Sequence, residues 1–263
     1  QVAAIVAPLV AGSMLDSVNP SWVYAFIAIA GAFAIVSLLP VKYVKAKVEE
    51  QHAPLRELRE GLVYVLKTPM VRTLLLLALV TEMFGWSHEF LLPVMAEDIL
   101  EVGASGLGYL LSTAAAGAVV ATLAVSSVRD IRRRGRVLVL GAMGFGLVLV
   151  AFSFSRWFPL SLVLLALAYG AAVSYETVLS TVIQTSVPSG MRGRVSSLQT
   201  ATWGLTGVGG FVMGAIGSVL TVPIAIAIGG GLVAVNAARM LPMTSRFDAR
   251  KAEQPASSTS PAL

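Results

Sequence analysis

Val71-Arg72-Thr73-Leu74-Leu75-Leu76-Leu77-Ala78-Leu79-Val80-Thr81-Glu82-Met83-Phe84-Gly85-Trp86-Ser87-His88-Glu89-Phe90-Leu91-Leu92-Pro93-Val94 is apolar along most of its length, without the continuous polar face of a helix lying on a soluble core. A bilayer core of about 30 Å is crossed by about 20 helical residues, because each rises about 1.5 Å. This run meets that length. Working outward from it, the same ruler predicts complete spans at Pro20 to Leu39, Gly106 to Val128, Val137 to Phe154, Phe158 to Ile183, Val195 to Leu220 and Val222 to Leu241, with a partial one at Val2 to Leu15. With Val71 to Val94, that makes seven complete spans in 263 residues.

Composition agrees. Apolar residues are 56% of the chain, charged residues 13%, and the mean hydropathy is +0.81, too little polarity to cover a globular surface in water. The net charge of +5 raises the question of nucleic acid. The basic residues sit between apolar spans, however, where they set topology and meet lipid headgroups, so no nucleic-acid partner is expected. The absence of cysteine removes disulfides, thiolate metal sites and cysteine nucleophiles, and two histidines, His52 and His88, are too few for a histidine-rich metal site. No metal or cofactor is expected. The chain opens at Gln1 inside an apolar run, with no initiator Met and no basic n-region, which reads as a truncated sequence.

One connection is long, Val41 to Met70. Pro54 suits a helix start, and Leu55, Leu58, Leu62, Val65 and Leu66 share a face, with Arg56, Glu57, Arg59, Glu60 and Lys67 over the rest. This predicts an amphipathic helix lying at the membrane surface. The segment from Pro242 onward, rich in Ser, Ala and Pro, predicts a disordered tail. If every span crosses once, the long loop, the Arg129 to Arg136 loop, the Arg192 and Arg194 loop and the C-terminus all share one side. Of 19 basic residues, only Arg156 lies opposite. Retention of Lys and Arg in the cytoplasm then predicts a multi-pass cell-membrane protein with a cytoplasmic C-terminus.

Six spans after a long cytoplasmic loop with a surface helix resemble the second half of the major facilitator superfamily, whose members have two six-helix halves. Arg59-Glu60-Gly61-Leu62-Val63-Tyr64-Val65-Leu66-Lys67-Thr68-Pro69 is similar to the central loop of bacterial exporter-type members. Pro188-Ser189-Gly190-Met191-Arg192-Gly193-Arg194-Val195 resembles their loop between helices ten and eleven, and Asp130 with Arg134-Gly135-Arg136 resembles, in degraded form, the repeated cytoplasmic motif between helices eight and nine. Ala7-Pro8-Leu9-Val10-Ala11-Gly12 is similar to the helix-five signature of proton-coupled antiporters, with alanine at two of its glycines; an ordinary Ala-rich packing face is the other reading. The resemblance implies an all-α membrane protein: a major facilitator-like six-helix bundle at 71–241, preceded by the end of an N-terminal half at 1–39 and a cytoplasmic loop at 40–70, and followed by the tail at 242–263. It also implies alternating access, with a central cavity shared with a missing N-terminal half of the same protein.

Within the spans, ionisable groups cost about 2.5 to 3.5 kcal/mol at mid-membrane on insertion scales, so each invites an explanation. Glu82, near the middle of its span, is either a coupling or substrate group or a structural hydrogen-bond partner. Glu89, seven residues on, and His88 beside it lie nearer the outer surface and read as either a proton path or an outer gate. Glu176, about two turns from the cytoplasmic end, starts a possible polar stripe through Ser180 and Gln184, or braces the cytoplasmic gate. Tyr175, Gln199, Trp203 and Asn236 are candidates to line a cavity, or to bond helix to helix. Asp130, Arg134, Arg136, Arg192 and Arg194 are candidates for a cytoplasmic gate, or for topology anchors. Gly204, Gly207, Gly209, Gly210, Gly214 and Gly217 predict close helix packing; their Gly207-Val208-Gly209-Gly210 fragment follows no strand and is no nucleotide loop.

The function that follows is secondary transport, proton-coupled export of small amphipathic molecules, with a small-molecule substrate, protons and the bilayer as partners. Import of a metabolite is the alternative of the same fold, and the membrane subunit of an ATP-driven pump the alternative of another class. No phosphate-binding loop supports the pump; the spans hold no mid-depth aspartate, and His88 lies off-centre without an evident serine partner for an intramembrane protease, so no enzymatic activity is expected.

Overall fold

The computed structural model describes residues 2–17, 20–40, 54–126 and 134–243, and every regular element among them is helical. The helices are α1 (Val2–Ser17), α2 (Pro20–Leu38), α3 (Pro54–Lys67), α4 (Pro69–Ile99), α5 (Gly103–Ser126), α6 (Arg134–Ser153), α7 (Phe158–Ser186), α8 (Ser189–Val219) and α9 (Val222–Ala238). Proline stands at the first or second position of α4, α7 and α9, where its missing N–H costs nothing.

Six of these helices are long and apolar enough to cross a membrane: α2, α4, α5, α6, α7 and α8. The predicted seventh span, Val222 to Leu241, comes out shorter. Its helix ends at Ala238 and gives way to a 3₁₀ turn at Leu241–Met243, so α9 has 17 residues and a rise of about 25 Å. The loop expected at Pro188 to Val195 is also mostly helical. Only Val187 and Pro188 leave the helical conformation, and α8 starts at Ser189 because Pro188 ends one helix and admits the next. Between α4 and α5 the chain reverses through Glu101 and Gly103, at φ 53° and 61°, a left-handed turn that suits glycine at the second position.

The bundle has two apolar cores stacked along its length. One joins Leu92 and Met95 of α4, Leu110 of α5, Phe145 and Phe152 of α6, Leu165 of α7, Met213 of α8 and Ala225 of α9. The other joins Leu74 and Leu77 of α4, Leu138 of α6, Leu179 and Ile183 of α7, Val195 of α8 and Ala237 of α9, with Val65 of α3. Between the two cores lies a level with buried Thr81, Glu82, Ser87 and His88. α1 packs on α5, where Gly108 meets the Pro8 carbonyl and Gly12 that of Ala104. α2 exposes apolar side chains all round, including Trp22, Phe26, Ile29, Phe33 and Val36, as a helix facing lipid or other spans does.

The helix α3 packs across the start of α8. A Cβ on Gly61 would touch the side chains of Arg194 and Leu198, Val65 is buried, and Arg194 pairs with Glu60 at 2.8 Å. Leu58, Leu62 and Leu66 remain exposed on its outer face. The apolar stripe of the sequence is therefore split between a protein contact and an open face.

Candidate functional site: an acidic cavity at mid-membrane

Helix α4 is irregular where the chemistry gathers. Regular α-helix gives way to a π turn at Thr81–Gly85 and a 3₁₀ turn at Trp86–Phe90 before Pro93. Pro93 donates no hydrogen bond to the turn before it, and the ladder resets by changing its step. Glycines receive the altered backbone: a Cβ on Gly209 of α8 would collide with the Met83 carbonyl, and one on Gly229 of α9 with that of Phe84. The helices close on the irregular turn because those side chains are absent.

On the side facing α7 and α8, a cavity of about 190 Å³ is lined by Glu82 of α4, Tyr175, Glu176 and Ser180 of α7, and Gln199, Thr202 and Trp203 of α8, with Ala78, Thr177 and Leu179. Glu82 is buried and accepts a hydrogen bond from Thr206 at 3.4 Å. Glu176 accepts one from the indole of Trp86 at 2.8 Å, and Gln199 donates to Ser180 at 2.9 Å. Tyr175 is fully buried, with the Thr81 hydroxyl beside its own, whereas Trp203 is 57% exposed. Two carboxyl groups, a phenol and an amide thus line one small space, with no basic side chain in its wall.

Five of the sequence candidates come together here: Glu82, Tyr175, Glu176, Gln199 and Trp203. Gln184, the last member of the expected stripe, is exposed and outside the cavity. Glu176 lies deeper than expected, because α7 continues to Ser186 and leaves nearly three turns, about 15 Å, beyond it. His88 and Glu89 line no part of this cavity, and they too stand further inside than the sequence suggested, since α4 runs on past Val94 to Ile99. His88 is buried, its Nδ1 2.7 Å from the Gly85 carbonyl and its Nε2 unpartnered, and Glu89 accepts a hydrogen bond from Tyr169 at 2.5 Å. Asn236 sits on α9 apart from the cavity, with its buried Nδ2 unpartnered.

At the other candidate group, Arg194 pairs with Glu60 and Arg192 donates from Nε to the Val187 carbonyl at 3.0 Å. Arg136 is exposed in the first turn of α6. Asp130 lies outside the described residues, as does the side chain of Arg134.

Two residues that the sequence reading passed over hold the site: Trp86 and Tyr169. Tyr169 alone had a signal in the sequence, a matched spacing. Glu82 and Glu89 are seven apart on α4, Tyr169 and Glu176 seven apart on α7, and the two helices run in opposite directions, so Glu89 meets Tyr169 while Glu82 shares a cavity with Glu176.

The family model described as transmembrane secretion effector matches residues 1–262. The chain belongs to this family of the major facilitator superfamily. It is similar to proteins named enterobactin exporter EntS, in Escherichia coli O139:H28 (strain E24377A / ETEC) and in Shigella boydii serotype 18 (strain CDC 3083-94 / BS512). Each is 26% identical over 245 residues, which is 92% of this chain and 58% of the relative. The chain therefore spans little more than half the length of these curated relatives.

Proposed function

We propose that the chain is part of a secondary transporter that exports small amphipathic molecules by alternating access, coupled to proton entry. One observation carries the reading: Glu82 and Glu176 share a mid-membrane cavity whose wall holds no basic residue. A carboxyl group in such a place is stable when neutral or when paired, so it gains or loses a proton as the cavity changes sides. Trp203 offers apolar surface and Gln199 offers hydrogen bonds, the combination an amphipathic solute needs. A volume of about 190 Å³ is below the roughly 300 Å³ where drug-sized sites begin, as suits a wall that an N-terminal half completes. The name carried by the relatives, enterobactin exporter, supports outward transport. By the distribution of basic residues, the long loop and the C-terminus are cytoplasmic.

The test is transport by the full-length protein in proteoliposomes with an imposed pH gradient, using a panel of amphipathic solutes. Export driven by the gradient and lost by about tenfold or more in Glu82→Gln is the expected result. Gradient-independent movement, or a Glu82→Gln variant that matches wild type, overturns the reading.

A further inference from the structure

Trp86 is joined to two acidic groups at once. Its Nε1 donates to Glu176 at 2.8 Å. Its ring meets that of Tyr169 edge-on, with centroids 5.1 Å apart, and the Tyr169 hydroxyl donates to Glu89 at 2.5 Å. Phe145 and His88, with centroids at 5.5 and 6.2 Å, pack around the same indole. Glu176 shares the cavity with Glu82, and Glu89 does not line it. Glu89 is itself exposed, so the Trp86 and Tyr169 rings stand between the cavity that holds Glu82 and Glu176 and an acid at the surface of the bundle.

Protons travel along groups that both accept and donate, such as carboxyl, hydroxyl, imidazole and water. The indole N–H only donates, and the ring behind it is apolar. The titratable groups facing this partition are Glu82, His88 and Glu89 from α4 and Tyr169, Tyr175 and Glu176 from α7; α6 contributes Phe145, which does not titrate. Of these His88 could offer a bypass. Its Nδ1 is committed to the Gly85 carbonyl and its Nε2 touches no donor or acceptor, so no hydrogen-bonded chain runs through it.

We propose that Trp86 insulates the Glu82–Glu176 cavity from the Glu89–Tyr169–His88 group, so that protons pass between them only when α4 changes conformation. The device for that change is adjacent. Trp86 directly follows the π turn at Thr81–Gly85, and conversion of that turn to regular α-helix shifts the register by one residue, which swings the indole by about 100° around the helix. The partition deepens the proton-coupled reading above and rests on it: it explains how the cavity acids are kept from exchanging protons freely with the exposed Glu89.

The experiment measures proton entry into liposomes holding the full-length protein, with a trapped pH-sensitive dye and no solute. Trp86→Ala removes the partition and is expected to raise substrate-free proton flux by about tenfold or more. Trp86→Phe loses the hydrogen bond to Glu176 yet keeps an apolar ring, and stays tight. Adding Glu82→Gln and Glu176→Gln to Trp86→Ala stops the leak. Should Trp86→Ala not fold, Trp86→Gln, which both donates and accepts, is expected to leak in its place. Tight membranes with a folded Trp86→Ala or Trp86→Gln, or a leak that survives removal of both carboxyl groups, overturn the proposal. A leak in Trp86→Ala together with wild-type solute movement that ignores the pH gradient keeps the partition and overturns proton-driven export instead.

Discussion

Glu82 combines burial, mid-span position and a single weak hydrogen bond, from Thr206 at 3.4 Å. A carboxyl group kept for structure would be better served by neighbours than this one is. Trp203 makes a second test of the cavity, because its ring stands exposed in the wall and a bound solute can cover it. Trp203→Ala removes that surface at an exposed position, so folding stability should change little, whereas solute affinity should fall by about tenfold, as loss of an aromatic contact does. Solute-concentration dependence of transport, beside a thermal melt, separates the two. Glu82, Glu176, Tyr175, Gln199 and Trp203 were all legible in the sequence as polar groups in apolar spans. That they share one cavity was not, since a span gives depth and not rotation. Trp86 and Tyr169 were overlooked for a related reason: aromatic residues in spans are common, and the pairing of two seven-residue spacings across α4 and α7 singles out Tyr169 alone.

The shape of α4 depends on neighbours that carry no side chain. Gly209→Ala places a methyl group against the Met83 carbonyl, which is backbone and cannot rotate away, and the expected cost is about 3 kcal/mol, the top of the usual range of overpacking, or loss of the folded form. Gly214→Ala on the same helix meets nothing within 4 Å and should melt like wild type. Melting temperature and monodispersity in detergent distinguish them. The glycine-rich face was visible in the sequence as a packing surface, but which glycines are indispensable depends on the π turn of α4, and nothing in the periodicity of Val71 to Val94 announces a change of helical step. Helix α3 offers a different case. Arg194→Glu breaks the ion pair to Glu60 and should slow transport while costing only a few tenths of a kcal/mol, because partly exposed pairs are worth about 0.2 to 1 kcal/mol. Restoring the pair in reverse with Glu60→Arg should recover the rate if α3 must stay clamped to α8 during the cycle. An unrecovered rate would assign Arg194 to some other contact.

Across the membrane, the positive-inside pattern makes a prediction that a cysteine-free chain is well suited to check. Arg156 lies exposed just before α7 and Gly190 exposed at the start of α8, at opposite ends of that hairpin. A membrane-impermeant thiol reagent added to intact cells should label Arg156→Cys and leave Gly190→Cys untouched until the cells are opened. The reverse pattern would invert the topology and, with it, the direction in which the acidic cavity takes up protons. Span number and connection order were largely legible in the sequence, because a bilayer imposes its thickness on every helix that crosses it. The ends were less so: α9 stops early and α7 and α8 run long, where proline placement decides and hydropathy does not.

The two stacked cores have a consequence for how the protein tolerates change. Phe152 in one and Leu138 in the other share no packing neighbour within either group, so truncating both should cost the sum of the separate costs. A lineage can therefore repack the end of the bundle around Phe152 without disturbing the end that carries α3. The polar level between them, which belongs to neither, acts as a firebreak against the spread of mutational damage, and the residues most costly to alter are those that compose it.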